Sequence, residues 1–217
     1  MSSDKPVLYS YWRSSCSWRV RIALAWKNID YEYKTVNLLD KNAVNDPAFV
    51  SANPVQKVPA LVVNGKAIGE SLAIIEYLEE AFPGRRALLP SDPVLRAHSR
   101  AIALQIGAGI QPIQNSRVLQ YLNKQEAGSG QKWAAHWIED GLKGLEGLLE
   151  KYSGKYCVGD EVTIADLFIP SMVYNALRFK VDVAPFKLLN KINENLAQLP
   201  EFQNAVPDKQ PDAGLNA

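Results

Sequence analysis

Apolar positions recur along this chain with two different periods, and the change from one to the other divides it. The run Val7-Leu8-Tyr9 predicts a strand over residues 7–11, and the spacing of Val20, Ala23 and Leu24 predicts a helix over 15–27. Tyr31, Tyr33 and Thr35 alternate with charged residues, the period of a second strand. Strand, helix and strand in that order imply a right-handed parallel unit. A polar segment over 40–53 follows, then a strand over 58–63. The pair Asn64-Gly65 is the signature of a type I′ hairpin turn into a strand over 66–68, and an amphipathic helix over 71–81 closes the half. The order βαβ, helix, ββ, helix predicts a four-stranded mixed sheet with helices packed on it.

Phe82-Pro83-Gly84 stops that helix, and Pro90-Ser91-Asp92-Pro93 marks a linker. Beyond it no strand period remains. Residues 95–122 read as one long helix, bent at Gly107-Ala108-Gly109 or at Pro112, and 133–152 as another. In Thr163-Ile164-Ala165-Asp166 the hydroxyl and the carboxylate would close a first helical turn reciprocally. That helix runs toward Phe179, a shorter one covers 190–198, and the tail after Pro207 is polar. The expected fold is an α/β domain over 1–84, a linker over 85–93 and an all-α domain over 94–217. Pro59 opens the third strand, where it cannot donate to the ladder. It fits a trans edge-strand proline, or a cis bond that turns the Val58 backbone outward toward an extended ligand.

Composition narrows the function classes. With 217 residues, 47% hydrophobic, 22% charged and a net charge of +1, the chain has ordinary globular composition. There is no electrostatic case for nucleic acid or an anionic membrane. No apolar run approaches the roughly 20 residues of a membrane span. Met1-Ser2-Ser3-Asp4-Lys5 has no apolar core resembling a signal peptide. Cys16 and Cys157 are too few for a disulfide scaffold, and with His98 and His136 they form no metal cluster. A cytoplasmic protein without a metal is expected, with low-pKa thiol chemistry at Cys16 only.

The candidate chemistry lies in Ser14-Ser15-Cys16-Ser17-Trp18-Arg19-Val20-Arg21, at the strand-to-helix junction. A helix N-terminus offers unpaired N–H groups and positive potential, so it favours a phosphate, a carboxylate or a thiolate. The plainer alternative is an N-cap, with Ser14 or Ser15 closing the first turn. Arg19 and Arg21 fit surface or ion-pair positions equally well. No Cys-x-x-Cys is present, which argues against dithiol chemistry.

Together, the βαβαββα half, the proline at 59, the proline-rich linker and the helical half resemble the cytosolic glutathione transferases, with a thioredoxin-like first domain. The strings Val58-Pro59-Ala60-Leu61, Glu70-Ser71-Leu72-Ala73-Ile74-Ile75-Glu76-Tyr77-Leu78 and the Thr163–Asp166 cap carry that resemblance. The string from Ser14 to Arg21 is narrower. With Gly109-Ile110-Gln111-Pro112-Ile113-Gln114-Asn115 and Tyr156-Cys157-Val158-Gly159-Asp160-Glu161, it is similar to the zeta class, whose members act as maleylacetoacetate isomerases.

The resemblance implies glutathione as cofactor, a homodimer, and thiolate addition to and elimination from a cis-enedione dianion. Ser14 is its first choice for the catalytic hydroxyl, with Ser15 and Cys16 next. Ser17, Trp18 and Arg19 complete that end of the cofactor site. The Val58 backbone would pair with the cysteinyl unit, and Glu70 and Ser71 with the γ-glutamyl end. Human-type members of the class often carry Gln where Glu70 stands. Gln111, Asn115, Ser116 and Arg117 are assigned to a wall from the helical half, Gln111 and Asn115 sharing a helix face by their spacing. Arg178 matches an arginine for a substrate carboxylate, with Arg13 and Arg19 as further candidates. Competing readings are a general conjugating transferase and a non-enzymatic module of the same fold.

Overall fold

The structure is a computed structural model that describes residues 5–215; residues 1–4, part of the stretch read for a signal peptide, lie outside them. The described residues form two compact units, one from 5–87 with 199–215 and one from Leu88–Gln198.

The first unit is built on a four-stranded sheet of β1 (Val7–Ser10), β2 (Glu32–Thr35), β3 (Ala60–Val63) and β4 (Lys66–Gly69) in the order β2-β1-β3-β4. β1 runs parallel to β2 and antiparallel to β3, with Leu8 opposite Tyr33 and Leu61. Helix α1 (Ser15–Trp26) makes the crossover between β1 and β2, as a parallel pair requires. Its faces are nearly all covered: Trp18, Val20, Ile22 and Leu24 are buried, and so are Arg19 and Arg21. That explains why its apolar stripe is faint in the sequence, since a helix buried all round has no solvent face to mark. β2 is an exposed edge with only Tyr33 partly covered.

The polar segment after β2 folds into two short helices, α2 (Lys41–Val44) and α3 (Pro47–Ala52), started by Asp40 and Asp46. The Asp46 carboxylate accepts the Ala48 and Phe49 amides, and Pro47 needs no partner at the first helical position. Asn64 and Gly65 both have positive φ, 49° and 72°, as a type I′ turn demands. Helix α4 (Ser71–Ala81) then lays Ile74, Ile75 and Leu78 on the sheet.

The second unit is all helical: α5 (Pro93–Leu104), α6 (Ser116–Gln125), α7 (Ser129–Tyr152), α8 (Ile169–Arg178) and α9 (Lys187–Leu196). The single helix expected over 95–122 is broken in two. Gln105–Ile110 widens into a π-helical turn at Gly107 and Gly109, and a turn at Pro112 separates it from α6. Gly141 of α7 makes room for this turn, because a Cβ there would collide with the Ile110 side chain. The Thr163–Asp166 signal starts a 3-10 turn, Ile164–Phe168, that leads into α8. Asp166 is fully buried and its carboxylate accepts three hydrogen bonds: the Thr163 amide at 2.8 Å, the Thr163 hydroxyl at 3.0 Å and the Cys157 amide at 2.9 Å.

The compact units divide the chain differently from the expected domains at two places. The segment expected as linker divides at Ala87 and Leu88, and Asp92 caps α5 with Pro93 as its first residue. Ala87 accepts from the Trp26 indole at 3.2 Å, while Leu88 accepts from the Ile164 amide at 2.8 Å. The C-terminal segment, expected in the helical half, packs with the first unit. There α10 (Pro200–Asn204) offers the next carbonyl, Ala205, to the Arg21 guanidinium at 3.1 Å. The local pattern gives no sign of this, because the segment is held by long-range contacts: the buried Phe202 ring meets Trp26 edge-on at 6.4 Å, beside the Arg21 hydrogen bond.

Candidate active site

Three sequence-predicted pieces meet at one end of the sheet in the first unit. The first is the turn from β1 into α1. Ser14 is the N-cap of α1, in extended conformation, and its Oγ accepts the Ser17 amide at 3.2 Å. The Ser14 amide in turn donates to the Tyr11 carbonyl at 3.0 Å. Capping and chemistry are therefore compatible: the hydroxyl oxygen uses a lone pair on the helix, and its proton remains to be donated. Ser15 and Cys16 follow on the half-buried first turn, whereas Ser17 and Trp18 are buried in the body of α1.

The second piece is the loop before β3. The Val58–Pro59 bond is cis. Val58 packs in the same apolar cluster as Tyr11 and Trp12, and no hydrogen bond among the described residues engages its backbone. Asn53 shapes this loop, donating to the Lys57 carbonyl at 2.6 Å and accepting from the Val55 amide at 3.2 Å. Nothing in the sequence pattern marks Asn53.

The third piece is the start of α4. Glu70 sits at φ 64° in the left-handed region, which a side chain of this kind seldom adopts and which costs of order 1–3 kcal/mol. Its carboxylate does not cap the helix, and no hydrogen bond or ion pair among the described residues takes it up. Ser71 is buried at the first turn.

Arg19 ties the first piece to the third. Only 2% exposed, it places Nη1 3.3 Å from Ser71 Oγ and 3.8 Å from Cys16 Sγ. Burial lowers its pKa, and the neighbouring Cys16 and Glu70 work against that. Of the surface and ion-pair alternatives for Arg19 and Arg21, burial excludes the surface one. Arg21, 1% exposed, is held at about 10 mainly by burial, and its donors go to Tyr11, Trp12, Ser10 and Ala205. Burial, with Asp166 beside it, pushes the Cys157 thiol well up, so Cys157 offers no thiolate.

Apart from Arg13, the remaining candidates belong to the second unit. Gln111 ends the π-helical turn and Asn115 caps α6, accepting the Arg117 amide at 3.1 Å. The expectation of one shared helix face fails, because the turn at Pro112 lies between them. Ser116 and Arg117 are exposed on the first turn of α6. Arg178 is exposed at the last residue of α8, its guanidinium 5.2 Å from the Phe179 ring. Arg13, half-buried in the first unit, lies 5.3 Å over Trp12. Among the described residues no group of three His, Cys, Asp or Glu could hold a metal, and no helix is long and apolar enough to cross a membrane.

Residues 8–86 match the glutathione S-transferase N-terminal domain and residues 114–204 the C-terminal domain of the same family. The chain belongs to the glutathione S-transferase family, in its zeta class. It is 59% identical over 217 residues to a probable maleylacetoacetate isomerase of Caenorhabditis elegans, covering 100% of both chains. A crystal structure of the maleylacetoacetate isomerase of Anaeromyxobacter dehalogenans with glutathione in its active site superposes with a TM-score of 0.87 at 41% identity, over 96% of this chain and 98% of that one. A bacterial zeta-class maleyl pyruvate isomerase superposes with a TM-score of 0.90 at 39% identity, over 96% of this chain and 100% of that one. The four-stranded mixed sheet and helical second unit expected from residue periodicity, and the thioredoxin-like first domain that the resemblance implied, are consistent with this family.

Proposed function

We propose that this chain catalyses the glutathione-dependent cis–trans isomerisation of maleylacetoacetate to fumarylacetoacetate. The observation that carries the reading is the Ser14 hydroxyl, which caps α1 and keeps a proton to donate at the positive end of that helix. The similarity to isomerases of maleyl compounds, one with glutathione bound, supports the choice of cofactor and substrate.

The residues fit glutathione piece by piece. The Glu70 carboxylate, which does not cap α4, suits the γ-glutamyl ammonium, and the Ser71 amide at the start of α4 suits its carboxylate. The unpaired Val58 backbone suits the cysteinyl peptide. Bound there, glutathione supplies a sulfur nucleophile that adds to the cis double bond and leaves once rotation has occurred, so none is consumed. Ser14 has to favour the thiolate. Lowering a thiol pKa by two units from about 8.5 takes roughly 2.7 kcal/mol. The helix N-terminus contributes about 0.3–2 kcal/mol and a charge-assisted hydrogen bond about 1.5–3, which together suffice.

Ser15 and Cys16 complete the turn, while Ser17, Trp18 and Arg19 hold it from within. Arg178 takes a substrate carboxylate, with Arg13 as the second candidate, and Gln111, Asn115, Ser116 and Arg117 supply polar contacts. The protein works in the cytoplasm as a homodimer, a state that the 65% exposure of Tyr121 and 37% of Trp133 favours. The test is turnover of maleylacetoacetate by the purified protein, with and without glutathione and beside maleylpyruvate. Trans product only with glutathione is expected. Turnover without it, or of maleylpyruvate alone, would contradict the proposal.

A further inference from the structure

Past α10 the chain makes the 3-10 turn Pro207–Lys209, and the polar tail then returns to the turn that carries Ser14. The tail is itself well fastened. Gln210 donates to the Asn204 and Val206 carbonyls at 3.1 and 2.8 Å, and its own carbonyl accepts the Ala213 amide at 2.9 Å. Asp212, only 1% exposed, accepts the Trp12 amide at 2.9 Å and the Tyr33 hydroxyl at 2.7 Å. On the other side of the same residue, Arg21 donates to the Trp12 carbonyl at 3.0 Å and to the Tyr11 carbonyl at 3.4 Å. The Tyr11 carbonyl also accepts the Ser14 amide.

Trp12 is therefore gripped at its N–H by a carboxylate and at its C=O by a guanidinium, two residues before Ser14. Hydrogen bonds to ionised groups are shorter and stronger than neutral ones, so this grip defines position closely. Burying Asp212 carries a desolvation cost that a purely apolar tail contact would avoid. We propose that Asp212 is a positioning residue: by holding the Trp12 peptide against Arg21, it sets where the Ser14 hydroxyl meets the bound thiol. This rests on the reading of Ser14 given above.

The experiment titrates the ultraviolet thiolate absorbance of glutathione bound to the full-length parent, Asp212→Ala, Asp212→Asn and Ser14→Ala, with kcat and the glutathione KM measured on each. A tail that only stabilised the fold would lower the folded fraction and leave the thiol pKa of folded protein unchanged. The expected result is a bound-thiol pKa about one unit higher in Asp212→Ala, with kcat about tenfold lower and KM little changed, the equivalent of one pKa unit. Asp212→Asn, whose amide oxygen can still accept from Trp12, should keep most of the parent's behaviour. A shift in Ser14→Ala with none in folded Asp212→Ala overturns the role of the tail alone. No shift in either overturns the Ser14 reading, and the tail's role with it. If Asp212→Ala does not fold, Tyr33→Phe decides, because it removes one of the two anchors of the carboxylate. A rise in pKa there supports the proposal and an unchanged value overturns it.

Discussion

Replacing Asp166 with alanine should destabilise the helical unit far more than replacing the threonine beside it. The carboxylate accepts two buried amides, those of Thr163 and Cys157, besides the Thr163 hydroxyl. Alanine leaves both amides without a partner, and each such orphan costs about 1–3 kcal/mol, so the loss is about 2–6 kcal/mol. For a chain of this size each kcal/mol moves the melting temperature by roughly 2–4 °C, which places the drop on the order of 10 °C. Thr163→Ala removes only a hydroxyl contact and should cost about 0.5–2 kcal/mol. Burial raises the Asp166 carboxyl above the ordinary value of 3.8, so the native state holds that proton more tightly than the unfolded chain. This group's contribution to stability is then full below 3.8 and declines as the pH rises through the folded value. The gap between the parent and Asp166→Asn should accordingly widen as the pH falls. Circular-dichroism melts and urea titrations across pH read all of this. An Asp166→Ala protein that melts like the parent would refute the reasoning, as would a Thr163→Ala protein that melts below the Asp166→Ala protein.

Three other outcomes follow from the geometry. Gly141→Ala should cost about 1–3 kcal/mol in a urea titration, because its methyl group meets the Ile110 side chain in the π-helical turn. Arg178→Ala should raise the KM for the dicarboxylate substrate about tenfold or more with glutathione affinity nearly unchanged, since a charge-assisted pair contributes about 1.5–3 kcal/mol. Glu70→Ala should do the reverse, raising the glutathione KM by a similar factor in initial-rate measurements.

The elements that carry strong periods or turn signals were legible in the sequence. Helix α4, the Asn64-Gly65 turn and the Ser14 cap follow from local residues alone. What the sequence hid is long-range. Arg19 and Arg21 look like surface charges until the fold shows the carbonyls, Ser71 and Cys16 that receive their donors. Asp212 and Trp12 are 200 positions apart, and nothing local to either announces the pair. The break between α5 and α6 was legible only as a bend, because Gly107, Gly109 and Pro112 weaken a helix without saying which of them ends it. The separation of Gln111 from Asn115 follows from that break.

The central claim is that the reacting sulfur belongs to glutathione and is held by Ser14, not supplied by Cys16. One measurement addresses it: the rate of maleylacetoacetate isomerisation as a function of glutathione concentration for Ser14→Ala and Cys16→Ala beside the parent. Addition and elimination need one nucleophile, and the cofactor already brings it. Ser14→Ala should lose most of its turnover at saturating glutathione, on the order of a hundredfold if its hydrogen bond to the thiolate is worth about 2.7 kcal/mol. Cys16→Ala should retain substantial turnover with the same dependence on glutathione. An inactive Cys16→Ala together with an active Ser14→Ala would contradict the account and make the protein's own cysteine the reacting group.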